Sequence, residues 1–267
     1  MKIAISPCPN DTFLFYFLQP AFELMFADVE SLNQSAKERK FEITKLSFAA
    51  LFHVLDDYVL LKSGSALGRG CGPLLVKRKG GPSFDKSAPV LIPGKLTTAN
   101  LLLSLYRDSI EPSIPMRYEL IIPALQKGEA DFGVVIHEER FTYLDKGLEL
   151  VQDLGEAWEN WTGLPIPLGA IAMQRKLGED RALLMEESIK QSYDWAFAHQ
   201  SDLDLVRFIQ NHSQNPDPNI ISSHIGLYVN SHTRELGEEG KKAVRLLQSK
   251  AIETGFAPLS DKNMFWD

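Results

Sequence analysis

Short apolar runs along this chain repeatedly stop at a small polar residue, and a second apolar run of helical character follows. Residues 2–6 predict a strand that cannot continue into Pro7-Cys8-Pro9, because the two prolines lack backbone donors and fix φ. Asn10, Asp11 and Thr12 are competent N-caps, and residues 13–18 predict a buried helix, so this loop presents unpaired N–H groups at a helix start. Such a start attracts an anion. Residues 22–26 and 41–46 predict strands flanking a polar-faced helix over 29–37, and Ser47 stands as N-cap of a helix over 48–55. Residues 58–61 and 74–76 predict strands around a loop, 63–73, that contains four glycines. That loop fits neither Gly-x-x-x-x-Gly-Lys-Ser/Thr nor Gly-x-Gly-x-x-Gly, which rejects an ATP or dinucleotide reading.

Residues 77–89 turn to Lys, Arg, Gly, Pro and Ser, a composition that predicts an exposed first crossing between domains. A strand over 90–92, a turn over 93–96 and a helix opening at Thr97 and Thr98 repeat the strand-to-capped-helix pattern. Residues 118–126 predict a helix despite Pro123, and 132–136 a buried strand that delivers His137 to its carboxyl end. A strand over 148–153, a connection over 158–164 and a return crossing over 165–173 come next. The remainder predicts helices over 183–198, 202–211 and 241–254, with a plain turn at 216–219. The expected fold class is α/β in two domains, residues 1–88 with 170–267 and residues 89–169, with a ligand cleft between them.

Residues 6–12, Ser47, residues 94–98 and residues 137–143 share one description, since each follows a strand at its carboxyl end. Ligands of open α/β sheets bind at that edge. Brought to one crevice, these loops supply helix N-termini, short hydroxyls and an imidazole whose unperturbed pKa of about 6.5 lies near neutrality. This set suits a small molecule bearing a carboxylate. His137-Glu138-Glu139-Arg140-Phe141 opens like His-Glu-x-x-His but has Phe141 where the second zinc ligand must stand, which excludes that motif. Cys8 reads as packing between its prolines, with a nucleophile-and-base pairing to His137 as the sharper alternative. His53, His199, His212, His224 and His232 have no ligand spacing and read as structural or solvent-facing.

Composition narrows the partners. The chain has 267 residues, 44% hydrophobic and 24% charged, enough for one large domain or two medium ones. A net charge of -7 and a pI near 5.5 argue against a nucleic-acid surface. No segment reaches the roughly 18 to 20 apolar residues needed to cross a bilayer, and the apolar run at the N-terminus stops at Pro7 before it can form a secretory core, so a cytoplasmic location is expected. Two cysteines, Cys8 and Cys71, are too few for a disulfide framework and lack metal spacing. Homodimerisation is left open.

Five segments carry a resemblance. Ser6-Pro7-Cys8-Pro9-Asn10-Asp11-Thr12-Phe13, Lys45-Leu46-Ser47-Phe48-Ala49-Ala50, Ser65-Ala66-Leu67-Gly68-Arg69-Gly70, Pro93-Gly94-Lys95-Leu96-Thr97-Thr98-Ala99 and Ile136-His137-Glu138-Glu139-Arg140-Phe141-Thr142-Tyr143 together resemble the 1,4-dihydroxy-6-naphthoate synthases of the futalosine route to menaquinone. The resemblance implies a two-domain type II periplasmic-binding-protein-like fold used as an enzyme. It further implies conversion of cyclic dehypoxanthinyl futalosine to 1,4-dihydroxy-6-naphthoate with release of dihydroxyacetone, and no metal or organic cofactor. Carried over residue by residue, the base falls on His137 and the ligand-binding hydroxyls on Ser47 and Thr98, with Asn10, Asp11 and Thr97 in matching motifs. A chorismate dehydratase-like enzyme and a non-catalytic small-anion-binding protein are the alternatives.

Overall fold

The computed structural model describes residues 1–19 and 21–266; the last residue of the expected first domain, Asp267, lies outside them. In chain order, β1 (Lys2–Ile5), α1 (Pro9–Phe15), β2 (Glu23–Phe26), α2 (Val29–Lys37), β3 (Ile43–Ser47), α3 (Phe48–Leu51), β4 (Tyr58–Leu60) and β5 (Ala66–Gly68) come first. The middle holds β6 (Leu74–Arg78), β7 (Val90–Ile92), α4 (Thr98–Arg107), β8 (Ser113–Pro115), α5 (Tyr118–Lys127), β9 (Phe132–Val135), β10 (Leu148–Asp153) and α6 (Leu154–Thr162). Then follow β11 (Ile166–Gln174), α7 (Glu179–Ala198), α8 (Leu203–His212), α9 (Pro218–Tyr228), α10 (Ser231–Arg234) and α11 (Gly237–Glu253).

Two sheets result. The first has the order β2-β1-β3-β11-β4, with β5 also on β11; β1 is parallel to β2 and β3, and β11 runs antiparallel to its partners. The second has the order β10-β6-β9-β7-β8, with β7 parallel to β8 and β9 and with β6 antiparallel to β9 and β10. Ile3, Ile5, Ile43 and Ile171 of the first sheet bury against Phe15 of α1 and Ile189 of α7. Val76 and Val135 of the second bury against Ile121, Ile122 and Leu125 of α5. A larger core, which includes Phe48, Leu75, Leu101 and Ala170, joins the two.

Sheet membership moves both crossings away from the expected places. β6 pairs with β9 and β10, so Leu74–Arg78 belongs to the second sheet and the chain first crosses ahead of Leu74, not over 77–89. All of β11 lies in the first sheet, Ile166 opposite Gly68 and Gly169 opposite Ser47, so the return precedes Ile166. The Lys- and Gly-rich stretch after β6 is an exposed surface excursion that returns to the same sheet at β7. At the true first crossing a Cβ on Gly72 would come within 2.3 Å of the Gly155 backbone, so only glycine lets this segment lie on the start of α6.

Two helices form where a connection and a turn were expected. Asp153 accepts from the N–H groups of Gly155 and Glu156 and starts α6 where a connection was expected, and Gly163 ends that helix in the left-handed region. Asp217 caps α9 with Pro218 in its first turn, the arrangement expected of a helix start, at the place read as a plain turn.

Candidate active site

α1 begins earlier than its apolar run suggests. Cys8 is the N-cap, Pro9 opens the helix, and the N–H groups of Asp11 and Thr12 both donate to the Cys8 carbonyl at 3.0 Å. Asn10 and Asp11 are therefore first-turn residues, and their side chains build a network instead of capping. Fully buried Asp11 accepts from the Ser6 hydroxyl at 2.6 Å through one oxygen; through the other it accepts from Asn10 Nδ2 at 2.8 Å and Lys45 Nζ at 2.7 Å. Lys45 and Ser47 share a face of β3, since side chains alternate along a strand.

Ser47 precedes α3 as expected, but that helix is a single turn and the hydroxyl makes no cap bond. Asn33 of α2 holds the residue instead, accepting from Ser47 N–H at 2.8 Å and donating to Ser47 Oγ at 3.2 Å. The Ser47 hydroxyl hydrogen is left for another acceptor. Thr97 caps α4, accepting from Asn100 N–H at 3.2 Å and donating to the Gly94 carbonyl at 2.8 Å. Thr98 donates to the Leu168 carbonyl at 2.8 Å and accepts from Ala49 N–H at 3.3 Å, which ties α4 to β11 and α3.

His137 opens a 3-10 turn after β9 with φ +56°, left-handed and thus costing a non-glycine residue roughly 1–2 kcal/mol. The turn is braced by Arg140, which pairs with Asp153 at 2.7 Å and donates to the Gly72 carbonyl. The imidazole lies edge-on to Tyr118 at 5.0 Å between centroids, and its Nδ1 is 3.3 Å from Cys8 Sγ. Burial pushes His137 down to about 4, Asp11 opposes that shift and Lys45 adds to it. The expectation of a histidine poised near neutrality is corrected accordingly: the ring is uncharged throughout the neutral range. Burial and then the Glu138 and Asp11 carboxylates raise the Cys8 thiol well above its ordinary value, so Cys8 is a thiol, not a thiolate. Cys8, His137 and Glu138 bring sulfur, nitrogen and oxygen ligand atoms within 4.8 Å of one another, a metal-compatible grouping that linear spacing does not reveal.

Asn10, Asp11, Ser47, Thr97, Thr98 and His137 all line one cleft enclosing about 660 Å³ of space partly open to solvent. Both sheets contribute to it. The cleft thus carries the Lys45 ammonium, the α4 helix start, hydroxyl groups and an uncharged imidazole, a set able to seat an anionic head group beside a proton acceptor.

Residues 1–253 match the family described as "Menaquinone biosynthesis". The chain belongs to that family. Among its relatives is the "1,4-dihydroxy-6-naphtoate synthase" of Thermus thermophilus, 42% identical over 99% of this chain and 98% of that one, a likeness that puts the chain in the 1,4-dihydroxy-6-naphthoate synthase family. A crystal structure of a protein from Archaeoglobus fulgidus superposes with a TM-score of 0.88 at 30% identity, over 95% of this chain and 97% of that one. The alkanesulfonate-binding protein SsuA of Xanthomonas axonopodis, bound to MOPS, superposes with a TM-score of 0.71 at 10% identity, over 97% of this chain and 94% of that one. The fold is that of the periplasmic binding proteins. No helix among the described residues is long and apolar enough to cross a membrane.

In this synthase-family chain, Lys45, His224 and Tyr228 line the cleft without standing among the expected site residues. Lys45 lies two residues before Ser47 on the same face of β3, and that pair of polar side chains is a usable signal that the face meets something other than core. His224, read as structural or solvent-facing, is 1% exposed and lines the cleft four residues before Tyr228 on α9. Its ring lies 6.4 Å from that of His137, with 21° between the planes. The Asp217-Pro218 helix start could have placed His224 and Tyr228 on one face.

Proposed function

We propose that the protein is a carbon–carbon lyase that converts cyclic dehypoxanthinyl futalosine to 1,4-dihydroxy-6-naphthoate and dihydroxyacetone, with His137 as general base. The observation that carries the reading is the uncharged His137 imidazole in one cleft with Lys45, Ser47 and the start of α4. Family membership and the name of the Thermus relative support the pathway and the product.

His137 accepts a proton from the sugar-derived portion of the substrate. The sugar-derived ring opens at its hemiacetal carbon–oxygen bond, the electron pair released lets the spiro carbon–carbon bond break, and the bicyclic portion keeps the ring oxygen and tautomerises to the aromatic diol. The imidazolium then returns its proton to the departing three-carbon piece, so no oxidant or reductant is consumed. Aromatisation supplies driving force, and the protein supplies positioning and proton transfer, the latter worth about 10²- to 10⁴-fold. Lys45, the Ser47 hydroxyl and N–H groups at the α4 start hold the carboxylate and developing negative charge. The reading uses no metal or organic cofactor and places the reaction in the cytoplasm.

The test is incubation of the purified protein with cyclic dehypoxanthinyl futalosine, alongside chorismate, with chromatographic detection of products. Formation of 1,4-dihydroxy-6-naphthoate is expected. Binding without turnover, or turnover of chorismate alone, would overturn the reading. Folded His137→Ala and His137→Asn variants are expected to lose at least a hundredfold in kcat, and near-normal turnover would remove His137 as the base.

A further inference from the structure

His224 belongs to none of the segments that carry the resemblance, yet the hydrogen bonds around it define its chemistry. The hydrogen-bond chain starts at Lys45. Its ammonium donates to Asp11 at 2.7 Å, with both side chains almost wholly buried, so Asp11 presents acceptors only. Asn10 meets Asp11 at 2.8 Å and must turn its NH2 toward that carboxylate. Its carbonyl oxygen then faces His224 Nε2, 3.0 Å away. A carbonyl oxygen can only accept, so Nε2 carries the hydrogen and the uncharged ring keeps its lone pair on Nδ1.

Nδ1 is buried and has no hydrogen-bond partner among the described residues. An unpaired buried acceptor is costly, so most such atoms in folded proteins are paired. Here the orphan belongs to a residue of the cleft wall, beside His137 and Tyr228. Burial, followed by His137 and Lys45, drives the imidazole well below its ordinary value, which keeps it a pure acceptor at Nδ1.

We propose that His224 is a second substrate-contacting histidine, whose Nδ1 accepts a hydrogen bond from a substrate hydroxyl, and that Lys45, Asp11 and Asn10 are positioning residues that set its tautomer. The inference deepens the lyase reading and rests on it. Nδ1 is closed to water, so the hydroxyl reaches it as the cleft adjusts around the substrate. A site with a buried acceptor built for a hydroxyl discriminates strongly against ligands that lack one, because the acceptor is then left unpaired.

Two measurements test this. In the wild-type protein labelled with 15N-histidine, long-range proton–nitrogen correlation is expected to show His224 as the Nε2–H tautomer; an Nδ1–H tautomer would overturn the proposal without any variant. In steady-state kinetics with cyclic dehypoxanthinyl futalosine, His224→Gln keeps a donor for Asn10 but lacks the Nδ1 acceptor, and is expected to lose tenfold or more in kcat/KM. His224→Asn, whose side-chain oxygen takes the place of Nδ1, is expected to recover part of that loss. A folded Gln variant within twofold of wild type would overturn the contact. Wild-type turnover in the same assay separates the two failures: its absence counts against the lyase reading, and its presence with an indifferent Gln variant counts against His224 alone.

Discussion

Cys8 Sγ stands 3.3 Å from His137 Nδ1, joining the start of α1 to the end of β9 across 129 positions of sequence. Both groups are uncharged at neutral pH, so the contact orients the ring without an ion pair. Backbone geometry fixes both ends: Cys8 sits between two prolines, and His137 holds a left-handed φ braced by Arg140. Removing the sulfur frees the imidazole to rotate. Cys8→Ala is expected to lower kcat about tenfold with little change in KM, and Cys8→Ser to recover part of it, in the futalosine assay. Equal rates for Cys8→Ala and wild type would assign Cys8 to packing alone.

The acid limb of the rate profile should lie low. His137 has its protonation pushed from its ordinary value down to about 4, so the base is lost only as pH falls through that region. The acid limb of kcat/KM, which reports the free enzyme, is expected near pH 4 instead of 6.5. A limb at 6.5 that disappears in His137→Gln would show that the imidazole is far better solvated than its surroundings suggest.

Lys45 and Asp11 form an ion pair whose side chains are 6% and 1% exposed. Breaking it from one side strands a buried charge. Lys45→Met and Asp11→Ala are each expected to destabilise the fold by about 3–5 kcal/mol in urea unfolding. The double variant is expected to lose less than the sum, because neither charge is then left alone.

Glu139 gives a pH-dependent effect of opposite sign to that of a paired carboxylate. Burial raises it to about 7, and Lys146 offsets only part of that. Its protonated form is favoured in the folded state, so its contribution is intact below about pH 4.5 and is lost as pH rises through 7. Glu139→Gln keeps the neutral form at all pH. It is expected to unfold like wild type near pH 4.5 and to be more stable at pH 8, by up to about 3 kcal/mol. Urea titrations at the two pH values check this, and a variant less stable at pH 8 would show that the Lys146 pair outweighs burial.

Much of the site was legible because its signals are local. A strand ending at a proline pair, a serine before an apolar run, a Thr-Thr helix start and a strand closing on a histidine each occupy a few consecutive residues, and all six expected site residues line the same cleft. Where one local signal serves two structures, the sequence is ambiguous. Asp-Pro at 217–218 begins turns and helices alike, so α9 and its His224 were passed over. The polar stretch after β6 has the composition of a domain linker but only passes the start of β9 to join β6 to β7 within the second sheet.

By itself the sequence determined the α/β class, most of the strand and helix positions, the family, and the residue types available to the cleft, since propensity, capping and motif content all act over short spans. Only the tertiary structure decided that β6 pairs in the second sheet, that Cys8 meets His137, that burial carries His137 down to about 4, and that Lys45, Asp11 and Asn10 orient His224. Strand pairing, desolvation and buried hydrogen-bond chains join residues far apart in sequence, and no short window of the chain contains both partners.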